Sequence, residues 1–294
     1  MFFQFHFNIY LIHLKDNLYT YEGKVSASNY GVDFSNKSDL SKKSTNDKKP
    51  TDDHGHGTHV AGIIKSVHPG VKLLTLKYYN PQASGQENLN STVKALRYAV
   101  DKNVDIINYS GGGPEPALEE LRVLKEAEKK GILVVAAAGN EKSNIDEKSN
   151  AYYPASYGLS NIITVTAHNK KLKMLSSSNF GESSVDLSAP GHRIKSALPN
   201  KRAGFLTGTS QATAFVTGVS ALIKSQYNLS AKEIKKVIRN SAKKEITLLN
   251  KCSSQGRLDA WRALELAEKS AKSNRSLAQS KKDKKAKIIY RMAQ

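Results

Sequence analysis

Apolar residues along the chain fall into two kinds of run, short continuous stretches and longer stretches with helical spacing, and the two kinds alternate. The short runs are VKLLTLKYY from residue 71, VDIINYS from 104, ILVVAAA from 132 and IITVTA from 162. Each has the length of a strand, and ILVVAAA is apolar on both faces, as a strand buried inside a parallel sheet is. Between them the spacing predicts helices over 58–66, over 91–102 and over 117–130. The second has Ser91 as its cap and Val93, Leu96, Ala99 and Val100 on one face, and the third closes on Gly131. Repeated strand, helix, strand units of this kind give an α/β fold, a mostly parallel central sheet flanked by helices on both faces. From Ala212 to Ile223 the residues are apolar or small nearly all round, the mark of a helix inside a domain. Ser230 and Glu233 form a capping box, with Leu229 and Ile234 as its staple, at the start of another helix. Residues 257–268 set Leu258, Trp261 and Leu264 together against the body.

The two ends depart from the pattern. MFFQFHF, residues 1–7, holds four of the eight phenylalanines, and Phe3, Phe5 and Phe7 alternate with polar residues as in a half-buried strand. Its apolar character fails by His13, too early for a membrane span, and neither a basic leader nor a small-residue cleavage site marks a signal peptide. Residues 35–53 are polar and rich in Lys and Asp, a loop. From Lys269 apolar periodicity is lost until Ile288, Ile289 and Tyr290, which favours disorder. Three parts follow: an atypical segment at 1–8, one folded domain at 9–268, and a basic tail at 269–294.

Composition fits a single large core, with 294 residues, 39% hydrophobic and 24% charged. A net charge of +19 raises nucleic acid as a partner. Nine Lys/Arg against one Asp after residue 268 account for +8 of it, so the charge is partly a property of the tail and no specific nucleic-acid partner is expected. The single Cys252 allows no disulfide framework and reads as an incidental thiol.

The chemistry concentrates around GFLTGTSQATAFVTG. Gly208 permits a sharp turn into the buried helix, and Ser210 then lies at a helix N-terminus, where free N–H groups favour an anion. An N-cap serine fits the same position, as does a nucleophile whose reaction generates an oxyanion. Two further motifs favour the nucleophile: HGHGTHVAGI at 54–63 and ILVVAAAGN at 132–140. Together the three stretches resemble those of the subtilisin-like serine peptidases, in the family's order, and the resemblance extends over roughly residues 9–268. It implies a three-layer subtilisin-like fold and an endopeptidase acting by acyl transfer. His56 would be the general base, Ser210 the nucleophile and Asn140 the oxyanion-hole donor. His54 and His59 would be structural or exposed, and three ligands for a zinc ion are not in place. Ser110, Gly111, Gly112 and Gly113 would form the edge on which a substrate backbone pairs as an added strand, with Tyr152 near the floor of the primary pocket. No cofactor is implied. The connection that carries calcium in many members is short here, at His68–Gly70, and holds no carboxylate. The resemblance further implies a polypeptide substrate, a monomer, and a secreted or cell-envelope setting.

One family motif is missing. IYLIHLKDNL resembles the segment directly after the family's Asp-Ser/Thr-Gly, so the catalytic aspartate should stand near Asn8, yet the first acid in the chain is Asp16. No acid between there and His56 is followed by Ser-Gly or Thr-Gly, which leaves the triad aspartate either absent or supplied by Asp33. The domain therefore reads as N-terminally incomplete, and the alternative to an enzyme is a catalytically impaired relative or fragment that binds peptides or proteins.

Overall fold

The computed structural model describes residues 8–13, 31–35 and 50–292, the backbone alone at 8–13, 278 and 280–292. MFFQFHF and most of the 35–53 loop lie outside the described residues. In chain order the elements are β1 (Asn8–His13), β2 (Gly31–Asp33), α1 (His56–Val67), β3 (Lys72–Lys77), α2 (Gly85–Asp101), β4 (Ile106–Tyr109), α3 (Leu118–Lys129) and β5 (Leu133–Ala137). They continue with β6 (Ile162–His168), β7 (Leu187–Pro190), β8 (Ile194–Leu198), β9 (Arg202–Leu206), α4 (Thr209–Gln226), α5 (Ala231–Ser241), β10 (Lys243–Lys244), β11 (Gly256–Arg257) and α6 (Ala260–Met292). Nine strands form one sheet in the order β10-β11-β7-β6-β5-β4-β1-β3-β2, and β8 with β9 makes a separate hairpin. The pairs β2–β3, β4–β5, β5–β6, β6–β7 and β7–β11 are parallel.

Alternation along the strands builds the layers. Leu133 and Val135 point to the core shared with α1, α4, α5 and α6, while Val134 and Ala136 point to the core shared with α2 and α3. Helices therefore cover both faces of a mostly parallel sheet, as the pattern predicts. Helix α4 is the innermost: thirteen of its eighteen residues are buried, so its length is set by the thickness of the core it fills.

Several elements differ from expectation for identifiable reasons. Helix α2 starts at Gly85, six residues before the predicted start, because Ser84 and Glu87 form a capping box there and take the role assigned to Ser91. The capping box at Ser230 and Glu233 is present as expected. Trp261 is 72% exposed and does not join Leu258 against the body. The stretch expected to be disordered is helical to Met292; residues 260–292 contain neither Gly nor Pro and are rich in Ala, Lys and Ser, so no residue in the stretch breaks the helix. Docking ends later than residue 268: Ala271 is buried, and Asn274 Nδ2 donates to Glu233 Oε1 of α5. Asn8–His13, expected to follow the aspartate-bearing strand, is itself a central strand. It runs antiparallel to β3 (Asn8 opposite Lys77) and to β4 (Ile9 opposite Tyr109), closing what would otherwise be two unpaired edges.

The packing of α1 on α4 orients both. At its start α1 is clasped by the hairpin, since His59 Nε2 lies 2.9 Å from the Ile194 carbonyl and Ser196 Oγ donates to the His59 carbonyl. Ile194 pairs with Leu206, three residues before α4 begins. At its end, Val67 lies against Gly218 so closely that a Cβ on Gly218 would stand 2.6 Å from Val67 Cβ. Helix α1 thus packs along α4, with its last residue against the middle of that helix. Gly218→Ala should lower stability by about 1–3 kcal/mol through overpacking, although alanine is the better helix former, and a melting curve should shift down by several degrees. An unchanged or raised Tm would show that α1 and α4 are not held this closely. Truncation after Asn274 should leave Tm nearly unchanged, whereas truncation after Ser270 removes Ala271 and the Glu233 contact and should cost a few degrees, about 1 kcal/mol.

Candidate active site

Ser210, Ser110 and Asn140 meet where the sheet dictates. Strands β4 and β5 are parallel neighbours, and the turns at their carboxyl ends carry Ser110 and Asn140 respectively; such ends are where open α/β sheets place their sites. Helix α4 delivers Ser210 to the same place. Ser110 Oγ donates to the Ser210 carbonyl at 3.0 Å, and Ser210 Oγ donates to the Ser110 carbonyl at 3.3 Å. Asn140 Oδ1 accepts from the Thr209 N–H at 3.0 Å and from the Thr209 hydroxyl at 3.3 Å. A backbone N–H can only donate, so it identifies the atom facing it as the Asn140 amide oxygen and leaves the NH₂ free to donate elsewhere. Gly208, at φ +155°, makes the turn that the sequence assigns to it.

Asn108 was not marked by any motif, yet it ties this site to the core. Thr217 Oγ1 donates to Asn108 Oδ1 at 2.8 Å, and Asn108 Nδ2 donates to Ser110 Oγ at 3.0 Å, which continues to Ser210. All four residues are buried, Asn108 and Thr217 completely. The signal in the sequence was a lone amide inside the apolar run VDIINY, because a buried polar side chain demands partners. A second missed residue is Asp52. Its carboxylate accepts from the N–H groups of Gly55 and Thr58 and from the Thr58 hydroxyl at 2.6–2.7 Å, capping the start of α1 where no N-cap side chain does, and so sets the turn that carries His56.

His56 is the first residue of α1 and is 5% exposed. His59, one turn later, is fully buried and spent on the hairpin, while His54 is exposed. Burial lowers the His59 pKa despite its two carbonyl partners, so it stays neutral and structural. Asp33 lies on β2, the outermost strand: its Oδ1 accepts from the Ser35 N–H and hydroxyl, and Lys77 Nζ is 3.6 Å from Oδ2. Strand β1, Asn-Ile-Tyr-Leu-Ile-His, holds no carboxylate. Cys252 is fully buried beside Leu248 and Val185, and burial raises its thiol pKa, which makes it an unreactive core residue.

Of the glycine edge, Ser110 and Gly111 are buried, and Gly113 is already paired, its N–H and C=O both bonded to Tyr153. That leaves Gly111 and Gly112 as the part of the edge not held by Tyr153. Gly112 has φ +151°, and a Cβ there would meet the Tyr153 carbonyl at 2.3 Å and the Tyr152 ring at 2.5 Å, so no other residue fits. Tyr152, 7% exposed, lies between Gly112 and Gly139 and lines a cavity of about 650 Å³.

The family is settled by comparison. Residues 12–274 match the model of the Subtilase family, peptidase S8, and the chain belongs to that family. It is 39% identical over 184 residues, 60% of its length, to the major intracellular serine protease of Bacillus subtilis strain 168, and 34% identical over 202 residues, 65% of its length, to subtilisin DY of Bacillus licheniformis. It spans 56% of the former and 72% of the latter, and so only a little over half of the first of these relatives. Among solved structures, the A subunit of the AB5 toxin from E. coli superposes with a TM-score of 0.61 at 26% identity, covering 72% of this chain and 78% of that one. The maturation protease PagA of prenylagaramide gives a TM-score of 0.61 at 26% identity, covering 72% of this chain and 82% of that one. No described helix is long and apolar enough to cross a membrane.

The buried hydrogen-bond chain makes a quantitative prediction. Asn108→Leu keeps the branched shape but strands the hydroxyls of Thr217 and Ser110, and should cost at least about 1–3 kcal/mol in urea unfolding. Asn108→Leu combined with Thr217→Val should cost less than Asn108→Leu alone, because one stranded donor is removed with its partner. Strict additivity would mean that the two side chains do not depend on each other.

Proposed function

We propose that the chain is a serine endopeptidase that hydrolyses polypeptides by acyl transfer. The observation carrying this reading is that the first turn of the buried helix α4 is bonded on one side by Ser110 and on the other by Asn140, at the ends of adjacent parallel strands. Ser210 is thereby fixed in a rigid frame, and His56 begins the adjoining helix α1. In the reaction Ser210 Oγ attacks the scissile carbonyl, and His56 takes the hydroxyl proton and returns it to the leaving amine. The carbonyl oxygen becomes an oxyanion, held by the Ser210 N–H and the Asn140 NH₂. Removing the corresponding donor from subtilisin costs about 10²- to 10³-fold in kcat, and Asn140→Leu should cost a similar factor here.

Asp33 favours a second reading, a peptide-binding module with slow turnover, because its carboxylate is held by Ser35 and Lys77. In subtilisin, loss of the triad aspartate lowers kcat by about 3 × 10⁴-fold. Labelling and turnover separate the readings. A fluorophosphonate probe should modify Ser210 and leave Ser210→Ala unmarked; equal labelling of the two would sink the peptidase. Labelling accompanied by turnover slower by four orders of magnitude than that of subtilisin would favour the second reading. Tyr152 against the glycine edge should also disfavour bulky aromatic residues just before the scissile bond. A cleavage profile led by Phe or Tyr there would contradict that placement.

A further inference from the structure

The cavity beside Tyr152 has a charge opposite to that of the protein. Lys and Arg outnumber Asp and Glu by 45 to 26 in the chain, yet the walls of the 650 Å³ cavity contain no Lys, Arg or His and three glutamates, Glu115, Glu120 and Glu141. They stand at different depths. Glu115 and Glu141 are exposed at the rim, while Glu120 is 3% exposed at the base. The Glu120 carboxylate accepts from the Tyr109 hydroxyl at 2.6 Å and the Tyr157 hydroxyl at 2.8 Å, and Glu141 Oε2 accepts from Asn179 Nδ2 at 2.6 Å. Among the described residues neither has a cationic partner, whereas Asp33, Glu126, Asp186 and Glu245 each pair with Lys or Arg.

Two buried tyrosines give an independent indication that a ligand belongs here. Tyr78 and Tyr152 are 4% and 7% exposed and line the cavity, and neither hydroxyl is hydrogen-bonded to a described residue. Neither hydroxyl oxygen is itself sealed off, so each is open to a partner that enters the cavity. A side chain made only of donors would satisfy the hydroxyl oxygens and the carboxylates together, and its charge would lie against the faces of the tyrosine rings. The volume is in the range of ligand pockets.

We infer that this cavity is a subsite for a lysine or arginine side chain of the bound polypeptide, lying beside the Gly112–Gly113 edge and read by Glu120, Glu141 and the surrounding tyrosines. This rests on the proposed peptidase site and adds its substrate class. Glu120 and the tyrosines form the base and hold the aliphatic stem and the charge out of water, while Glu115 and Glu141 attract the cation at the mouth. Burial pushes the Glu120 carboxyl above its ordinary range even though the two hydroxyls pull it down, as expected of an anion still short of positive charge. The basic surface of the rest of the molecule would repel such a substrate at long range, so selection falls to the cavity itself.

The test uses full-length Ser210→Ala, so that binding is read without turnover. Octapeptides carrying one arginine, walked across a neutral background, are compared by calorimetry with twins carrying norleucine at the same position. At one register the arginine peptide should bind at least about tenfold tighter than its twin. Glu141→Gln, which keeps the Asn179 contact, should reduce that ratio, and Glu120→Gln should reduce it further in protein whose melting curve shows it folded. Equal binding of the twins at every register, no binding of either, or a ratio unchanged by both variants would overturn the subsite. Turnover by the wild-type chain reports separately on the peptidase. Cleavage with no basic preference rejects the subsite and keeps the enzyme, while arginine-selective binding without cleavage keeps the subsite and rejects the enzyme.

Discussion

Thr217, Asn108, Ser110 and Ser210 are joined by hydrogen bonds of 2.8–3.0 Å across the boundary between β4 and α4, in a space closed to solvent. Each link requires the next. With the Asn108 carbonyl oxygen occupied by Thr217, its NH₂ must point along the strand to Ser110, and the Ser110 hydroxyl, having accepted that hydrogen, donates to Ser210. A helix packed on a sheet by apolar contacts alone can slide by fractions of an ångström at little cost. A buried polar chain of this kind cannot, because every displacement strands a donor or acceptor worth about 1–3 kcal/mol. The start of α4 is therefore fixed in rotation as well as in position, which a reacting hydroxyl requires. Asn140 completes the frame from the neighbouring strand.

The same strand end separates two environments. Asn108 faces α4 and the Ser110–Ser210 contact; Tyr109, the next residue, faces the opposite side and reaches Glu120 at the base of the acidic cavity. The two-residue repeat of a strand thus serves the candidate nucleophile with one side chain and the candidate subsite with the next. Between them Gly112 brings the backbone so close to Tyr152 and Tyr153 that the floor of the cavity and the glycine edge are built from a single contact.

Much of this was legible in the sequence, for physical reasons that differ by residue. The strands of the core and helix α4 were readable because burial on both faces leaves long apolar runs, while Ser210, His56 and Asn140 stand out through the motifs around them. Asn108 and Asp52 were not read. Each acts through partners distant in sequence or through backbone N–H groups, so nothing local marks them beyond one polar residue in an apolar run and one acid before a helix. The start of α2 was placed late because Ser91 offered a cap, while the Ser84–Glu87 box lay outside the apolar stripe. Trp261 was placed inside on hydrophobicity, which says nothing about the direction in which α6 leaves the body. The reversed strand β1 could not be read at all, since a run such as IYLI is equally compatible with either direction.

The account turns on whether Ser210 becomes covalently acylated with help from His56. Intact-mass spectrometry of the chain during reaction with a p-nitrophenyl ester measures this directly, with peptide mapping to locate the adduct. A single acyl group on Ser210, forming more slowly by orders of magnitude in His56→Ala and not at all in Ser210→Ala, is the predicted result. An adduct on another residue, or one that forms at the same rate without His56, would contradict it.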